Sequence, residues 1–309
     1  METNEKWFAI VNPASGFGKV ATQWGAIKAH LEKENIPFDF ELTTPENKGN
    51  KVVQSAILNG YRKIICVGGD GNFQDVANGI LQQKEIPSTD VLVSMISLGT
   101  GNDWIKTSGV PKDYKKAISL LKNGKSLVQN VGLSKSYVDG KLFERYFCNF
   151  AGAGFDAYVV KQMSGIKGLG QISYLVQMVK CLFTFNKPNL RISFNNQTLE
   201  TLSYLTLAGI GKYGGGGMKL TPGATLDGDS FFFTIAKDLS VLEVLANAPG
   251  LFNGAFINHP KVETHFTKHI KIEALENASE IFMQVDGEVL GSGPFEISLI
   301  PQALKVLIP

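Results

Sequence analysis

The most informative segment of this chain is RKIICVGGDGNFQDVANGILQ, residues 62–82. The apolar run at 62–67 is typical of a strand buried on both faces, and residues 73–82 have the spacing of an amphipathic helix. Between them, three glycines surround the carboxylate of Asp70. Glycines let a backbone approach a ligand closely, and open α/β sheets bind ligands at the carboxyl ends of their strands. The segment therefore predicts a βα unit with a ligand-binding loop.

The same alternation runs through the first third of the chain and stops near residue 127. Apolar strand patterns at 6–12, 37–43 and 91–97 alternate with helical patterns at 18–34, 51–59 and 112–122. This order predicts a doubly wound, mostly parallel sheet covered by helices. Strand-like runs dominate the rest, with helical patterns chiefly at 169–185 and 239–251, and they predict a mainly antiparallel β domain. Because no long polar linker separates the halves, we expect a shared active-site cleft between them.

Composition excludes several classes of protein. The 30 Lys and Arg nearly balance the 28 Asp and Glu, for a net charge of +2, which argues against a nucleic-acid partner. Only three basic residues are Arg, so phosphate recognition is expected from backbone N–H groups or Lys. Three widely spaced cysteines indicate free thiols in a reducing compartment. No signal peptide and no apolar run of ~18–20 residues is evident. We expect a cytoplasmic protein, at most peripheral to the inner face of the membrane.

Two further loops of small residues follow predicted strands. The loop at 12–19 is not a P-loop, because Pro13 and Val20 replace its required Gly and Ser or Thr. A dinucleotide-binding fingerprint fits residues 16–21 better, and a purely structural turn remains the alternative. The loop at 98–103 offers a hydroxyl, an amide and a carboxylate. Since loops after parallel strands share one edge of the sheet, we expect these loops and the one around Asp70 to converge.

The second half contains fewer candidate groups. Asp227 and Asp229 flank a glycine and could ligate a cation, although the rest of an EF-hand loop is absent. Asp286 and Gly287 have the sequence of a hairpin turn, directly before Glu288. The sequence contains neither a Ser-His-Asp arrangement nor a Cys/His zinc spacing.

Six motifs in a fixed order resemble one known family. They are Asn-Pro-x-Ser-Gly at 12–16, Gly-Gly-Asp-Gly at 68–71, Gly-Thr-Gly-Asn-Asp at 99–103, Tyr-Gly-Gly-Gly at 213–216, Pro-x-Ala-x-Leu-Asp at 222–227 and Asp-Gly-Glu at 286–288. The chain resembles the bacterial diacylglycerol-kinase-like lipid kinases, which share a catalytic domain with the diacylglycerol, sphingosine and ceramide kinases of eukaryotes. The resemblance extends over about residues 7–288, nearly the whole chain.

The resemblance implies a two-domain kinase. Residues 1–126 would form an ATP-binding α/β domain, to which a final strand at 303–309 returns. Residues 127–302 would form a β-sandwich-like domain for the lipid substrate. The implied reaction transfers the γ-phosphate of ATP, with Mg²⁺, to the hydroxyl of a lipid presented at a membrane surface. Diacylglycerol is the default substrate, while phosphatidylglycerol, sphingosine-like bases, ceramide and a homodimeric state are left open.

The resemblance also assigns roles to residues. Asp70 corresponds to the essential acid near the metal-bound phosphates, and Glu288 to the general base. Asp227 and Asp229 correspond to the magnesium-binding turn. The positions implied to contact the nucleotide, besides Asp70, are Asn12, Pro13, Ala14, Ser15, Gly16, Thr44, Gly68, Gly69, Gly71, Asn72 and Thr100.

The chain departs from the family pattern at a few positions. Asn72, Asp75 and Ser97 replace the usual Thr, Glu and Pro. The Asp-Asp-Gly metal turn is Asp-Gly-Asp at 227–229, which leaves the exact magnesium ligands open. Two alternatives remain. One is an NAD-kinase-like enzyme, which shares the Gly-Gly-Asp-Gly loop, and the other is a non-catalytic lipid- or nucleotide-binding protein on the same fold.

Overall fold

The structure is a computed structural model that describes residues 5–99, 101–138, 140–163, 179–275 and 281–309. The chain forms two compact units. Unit 1 comprises Met1–Val131 and Ile300–Pro309, and unit 2 comprises Gly132–Leu299. The C-terminal ten residues are therefore part of unit 1.

Unit 1 is a parallel sheet with helices. Its strands are β1 (Trp7–Val11), β2 (Phe38–Leu42), β3 (Lys63–Gly68) and β4 (Leu92–Ser97), and its helices are α1 (Lys19–Lys33), α2 (Gly49–Leu58), α3 (Asp70–Gln82), α4 (Asp103–Ser108) and α5 (Tyr114–Asn123). The strand order is β4-β3-β1-β2, and the end of the last strand of the chain, β15 (Glu288–Ile308), pairs in parallel with β4. The predicted parallel sheet is confirmed.

The core of unit 1 follows from its apolar patterns. Strands β1, β3 and β4 are almost entirely buried, as continuous apolar runs require. Helix α1 packs Val20, Ile27 and Leu31 against them, a spacing of seven and four residues that keeps these side chains on one helical face. Each such burial contributes roughly 1.5–3 kcal/mol. This packing fixes the carboxyl ends of the strands, where the candidate loops begin.

The structure of unit 1 differs from the sequence-based prediction in two places. Helix α3 begins at Asp70, three residues before the predicted start, because Gly69 is already its N-cap. An acidic side chain in the first turn of a helix is favoured by the helix dipole. Helix α4 was not predicted at all, since its six residues are too few to show a periodicity.

Unit 2 is built from antiparallel strands. They are β5 (Lys125–Val138), which begins in unit 1, β6 (Lys141–Phe147), β7 (Phe150–Gly154), β8 (Asn189–Phe194), β9 (Gln197–Leu202), β10 (Leu205–Gly209), β11 (Phe231–Ala236), β12 (Val262–Thr267), β13 (His269–Ala274), β14 (Phe282–Val285) and the first part of β15. The orders β12-β11-β10-β7-β14-β15 and β9-β8-β13-β15 meet at β15. The predicted mainly antiparallel, β-rich second half is confirmed.

Short helices accompany these strands. They are α6 (Phe155–Met163), α7 (Val241–Ala246) and α8 (Ala248–Asn253). The predicted helix at 239–251 is thus two short helices, the first held by a capping box between Ser240 and Glu243. Most of the predicted helix at 169–185 lies outside the described residues. Its described part is helical at 179–184. Among the described residues, no helix has both the length and the apolar character needed to cross a membrane.

Candidate active site

Three loops of unit 1 come into direct contact at the carboxyl ends of their strands. A Cβ added at Gly16, in the loop after β1, would lie 2.3 Å from the backbone oxygen of Leu98, in the loop after β4. A Cβ added at Gly99, also in the loop after β4, would lie 2.6 Å from the Cα of Gly69, in the loop after β3. Approaches this close exclude side chains larger than hydrogen, so these glycines are what allows the loops to meet.

The loop after β1 turns sharply into helix α1. Gly16, Phe17 and Gly18 all have positive φ angles, of 63°, 56° and 81°. Gly18 is the N-cap of the 15-residue helix α1 and provides no side-chain hydrogen bond to the first turn. The N–H groups of Ser15, Gly18, Lys19 and Val20 donate to carbonyl oxygens of the loop itself. Among the described residues the N–H groups of Gly16 and Phe17 make no such bond, and together with the helix dipole they suit an anion such as phosphate.

The rest of this loop is tied to the sheet. The Asn12 backbone N–H donates to the oxygen of Val67 at 3.0 Å, and the Asn12 side chain accepts the N–H of Ala14 at 3.1 Å. Residues 13–16, which complete the predicted nucleotide-contacting set here, are exposed or half-buried. They are therefore accessible to a ligand.

Asp70 is held between two of the converging loops. Its Oδ2 accepts the N–H of Asp103 at 3.0 Å, and its Oδ1 accepts the N–H of Trp104 at 3.3 Å. Burial raises the pKa of the Asp70 carboxyl above its usual value, and the nearby Asp103 carboxylate acts in the same direction. The two backbone N–H groups oppose this shift. A half-buried carboxylate near another carboxylate is a group whose charge a cation would stabilise.

Helix α4 begins with Asp103, the carboxylate of the loop at 98–103, and adds Lys106 and Trp104, to which the sequence assigned no role. Asp103 forms an ion pair with Lys106 at 2.7 Å. Trp104 is buried with its ring centroid 4.3 Å from that of Phe73, and its indole N–H donates to Gln129 at 3.0 Å. The Gly-Thr-Gly-Asn-Asp motif was the available signal for this helix start, since Asn and Asp are frequent there.

Asn72 and Thr44, two of the predicted nucleotide contacts, lie away from the contacts between the three glycine loops. The Asn72 side chain is buried, and its Nδ2 donates to the backbone oxygens of Ile10 and Val67 at 3.3 and 3.2 Å. Its amide is thus used inside unit 1. Thr44, in the exposed loop after β2, accepts the N–H of Asn47 at 3.1 Å. Thr100 lies outside the described residues.

In unit 2, Glu288 follows a tight hairpin turn. Asp286 and Gly287 have φ angles of 46° and 87°, as a two-residue turn between β14 and β15 requires. The Glu288 Oε2 accepts a hydrogen bond from the Arg145 Nη2 at 2.8 Å. The Glu288 side chain is 43% exposed and that of Arg145 is 14% exposed, so the carboxylate is reachable while the guanidinium is largely covered. Arg145 was missed because it lies 143 positions away in sequence.

Asp286 has a structural role in this turn. Its carboxylate accepts the backbone N–H groups of Cys148, Asn149 and Phe150 at 2.8, 3.1 and 2.9 Å. Three such hydrogen bonds fasten the turn to the segment between β6 and β7. The Asp286 carboxylate is therefore used to hold the turn, whereas the Glu288 carboxylate is partly exposed and accessible to a substrate.

The candidate magnesium residues lie in another turn of unit 2. Asp227 and Asp229 are exposed on either side of Gly228. Within the described ranges, no group of three or more His, Cys, Asp or Glu side chains is arranged to hold a metal ion. Mg²⁺ is commonly bound by only one or two carboxylates together with phosphate oxygens and water, so both this turn and Asp70 offer suitable donors.

Comparison with known proteins identifies the family. Residues 6–133 match the model of the diacylglycerol kinase catalytic domain, and residues 149–308 match that of the YegS C-terminal NAD kinase β-sandwich-like domain. The chain belongs to the diacylglycerol kinase family with this two-domain composition. The resemblance seen in the motifs is thereby confirmed. Membership in this family makes the protein an ATP-dependent lipid kinase.

Individual relatives cover nearly the whole chain. A diacylglycerol kinase of Staphylococcus carnosus (strain TM300) is 27% identical over 304 residues, 97% of this chain and 94% of that protein. A diacylglycerol kinase of Mycobacterium tuberculosis (strain H37Rv) is 28% identical over 306 residues, with the same two coverages.

Solved structures show the same fold. The crystal structure of a diacylglycerol kinase from Bacillus anthracis str. Sterne aligns with a TM-score of 0.73 at 22% identity, covering 99% of this chain and 97% of that one. Yeast NADH kinase complexed with NADH aligns at 0.55 and 12% identity, covering 98% of this chain and 83% of that one, which shows a shared fold only.

Proposed function

We propose that this lipid kinase transfers the γ-phosphate of ATP to the hydroxyl of diacylglycerol. The observation that carries the proposal is the half-buried carboxylate of Asp70 among three contacting glycine loops. These loops lie in the part of the chain that matches the diacylglycerol kinase catalytic domain. The relatives in Staphylococcus and Mycobacterium are named diacylglycerol kinases, which makes diacylglycerol the first substrate to test.

The loops of unit 1 would bind the triphosphate. Backbone N–H groups such as those of Gly16 and Phe17 and of the first turn of α3 would supply directional donors without Arg side chains. Bound Mg²⁺, held by Asp70 or by Asp227 and Asp229, would neutralise phosphate charge that builds up during transfer. Asp70 itself would orient the start of α4 through its two backbone hydrogen bonds.

Glu288 would act on the lipid hydroxyl. An alcohol is a weak nucleophile, and phosphoryl transfer depends mainly on positioning, with a carboxylate accepting the hydroxyl proton. The partly exposed Glu288 carboxylate, oriented by Arg145, suits this role.

The decisive experiment identifies the product. The protein is incubated with labelled ATP and Mg²⁺ and with purified diacylglycerol, a total lipid extract or NAD⁺, and the labelled product is identified by mass. Phosphatidic acid from diacylglycerol supports the proposal, and a different labelled lipid corrects the substrate. Labelled NADP⁺ would favour the NAD-kinase alternative. Ligand-induced stabilisation without turnover would favour a non-catalytic binding protein.

Asp70→Ala tests the phosphate site. We expect turnover to be lost while the thermal midpoint of the fold changes little, because Asp70 lies in the first turn of α3 and outside the apolar core. Asp90→Ala is the matched control, since Asp90 is exposed and precedes β4 at the opposite edge of the same sheet. Near-normal turnover in Asp70→Ala would contradict the assignment.

Glu288→Gln tests the general base. It keeps the shape of the side chain and removes its basicity, so kcat should fall by roughly 10²–10⁴-fold with ATP affinity nearly unchanged. Glu296→Gln, an exchange of the same type on the same strand, is the control. A tenfold loss of ATP affinity with kcat intact would make Glu288 a binding residue.

We also propose that unit 2 touches the bilayer that contains the substrate. Val179 and Phe183 on the helical residues 179–184 are 41% and 70% exposed, and Leu242 and Phe252 on α7 and α8 are 79% and 61% exposed. Apolar side chains of this kind insert into the boundary between headgroups and acyl chains.

Light scattering of the purified protein distinguishes a monomer from the homodimer that the sequence leaves open.

A further inference from the structure

A buried carboxylate outside the predicted site lies in the first turn of α6. The carboxyl group of Asp156 is enclosed in unit 2, over the strand β7 that precedes the helix. A Cβ added at Gly152 of β7 would lie 2.4 Å from the Asp156 Oδ2. The missing side chain at Gly152 is therefore the space that the carboxylate occupies. Burying a carboxylate costs free energy, so its position calls for an explanation.

The Asp156 carboxyl accepts a side-chain hydrogen bond from Gln284. Gln284 is 1% exposed and lies on β14, in register with Gly152. Its Nε2 donates to the Asp156 Oδ2 at 2.9 Å. Because the amide nitrogen of Gln284 donates to Asp156, the amide oxygen is turned the other way.

The amide oxygen of Gln284 reaches the hairpin turn before Glu288. It accepts the backbone N–H of Gly287 at 2.8 Å. Val285 and Glu288 are paired across this turn, so the position of the Gly287 N–H sets where β15 begins. Asp286 fastens the turn from its other side through the three N–H groups of residues 148–150.

We propose that Asp156, acting through Gln284, is a positioning residue for Glu288. Two hydrogen bonds connect the buried carboxylate to the turn, and Glu288 is the next residue after it. The inference rests on the proposed function, in which Glu288 takes the proton of the lipid hydroxyl. Small displacements of a catalytic group are costly, since a misplacement of ~1 Å can lower a rate about 10²-fold.

The first test separates kcat from KM. Asp156→Ala should lower kcat by roughly 10–100-fold and leave the KM for ATP within about twofold, because the ATP loops belong to unit 1. Asp156→Asn keeps an oxygen that can accept from Gln284 and should retain kcat within about threefold. Asp238→Ala, which truncates an exposed carboxylate in unit 2, is the control. Wild-type kcat in Asp156→Ala would overturn the proposal.

A second variant keeps the test valid if Asp156→Ala does not fold. Gln284→Met nearly preserves side-chain volume and removes both hydrogen bonds, so it should show the same loss of kcat at unchanged KM for ATP. Wild-type kcat in a folded Gln284→Met protein would overturn the proposal equally.

The closing experiment combines each variant with Glu288→Gln. If Asp156 acts through Glu288, Asp156→Ala should lower kcat by less than about twofold in the Glu288→Gln background, because coupled residues are not additive. A further loss of about tenfold or more would show action by another route and overturn the inference alone. Wild-type kcat in Glu288→Gln itself would instead overturn the proposed role of Glu288, and the inference with it.

Discussion

Replacing Asp156 with Asn should change how the free energy of unfolding depends on pH. Burial raises the pKa of the Asp156 carboxyl from its ordinary 3.8 to about 7 in the folded protein, against the opposing hydrogen bond from Gln284. Between these two values the folded state keeps a proton that the unfolded state has released. Stability therefore falls as pH rises through this range and is greatest, for this group, at low pH.

The size of the effect follows from the two pKa values. At a pH above both values, the ionised carboxyl lowers the free energy of unfolding by about 4 kcal/mol. About 2–3 kcal/mol of this loss occurs between pH 5 and pH 8. Asn is neutral throughout, so Asp156→Asn removes this loss. The amide buried in place of the second carboxyl oxygen adds a cost of about 1–3 kcal/mol, which does not vary with pH.

Urea unfolding followed by circular dichroism at pH 5 and pH 8 measures the effect. From pH 5 to pH 8 the unfolding free energy of the wild type should fall by about 2–3 kcal/mol relative to that of Asp156→Asn. Asp238→Asn, at an exposed carboxylate, should give a difference that is flat within about 0.5 kcal/mol. A difference for Asp156→Asn that is equally flat would refute the argument that this carboxyl is costly to ionise.

Three further substitutions test separate parts of the structure. Gly16→Ala should weaken ATP binding by about tenfold or more, because its Cβ would collide with the backbone of the loop after β4. Gly25→Ala, inside α1, meets no atom within 4 Å and should bind ATP normally when both variants are titrated. Arg145→Met should lower kcat about tenfold at unchanged ATP affinity, since it leaves Glu288 without its charged donor; equal kcat in steady-state assays would contradict this. Phe183→Asp should reduce sedimentation with lipid vesicles at an unchanged thermal midpoint, and undiminished binding would remove this residue from the membrane contact.

The parts of the fold with strong periodicity were predictable from sequence. Strands β1, β3 and β4 are continuous apolar runs, and each is followed by a loop of small residues, so both the parallel sheet and the candidate loops could be located. Strand β5 was missed because its Lys, Ser, Gln and Asn residues mask the alternation, although it pairs with β6 over seven positions. Pairing partners far apart in sequence determine such strands, and a single sequence does not record them.

The candidate site was predictable only where a motif marks it. Asp70 and Glu288 stand in recognisable motifs, whereas Arg145 and Asp156 do not. Arg145 acquires its place only when β6 and the β14–β15 turn come together, and Asp156 resembles an ordinary first-turn helix residue. Their contacts join positions 143 and 128 residues apart, a separation that local pattern analysis does not reach.

Trp104 gives the nucleotide-binding unit an intrinsic optical probe. The three tryptophans of the chain, at positions 7, 24 and 104, all belong to unit 1, so emission excited at the red edge of protein absorption reports on that unit alone. The backbone N–H of Trp104 donates to Asp70, and its ring packs against Phe73. The residue that carries this indole is therefore hydrogen-bonded directly to Asp70 of the candidate phosphate site. Nucleotide titrations can therefore be followed without a label, and a substitution confined to unit 2 leaves the chromophores unchanged.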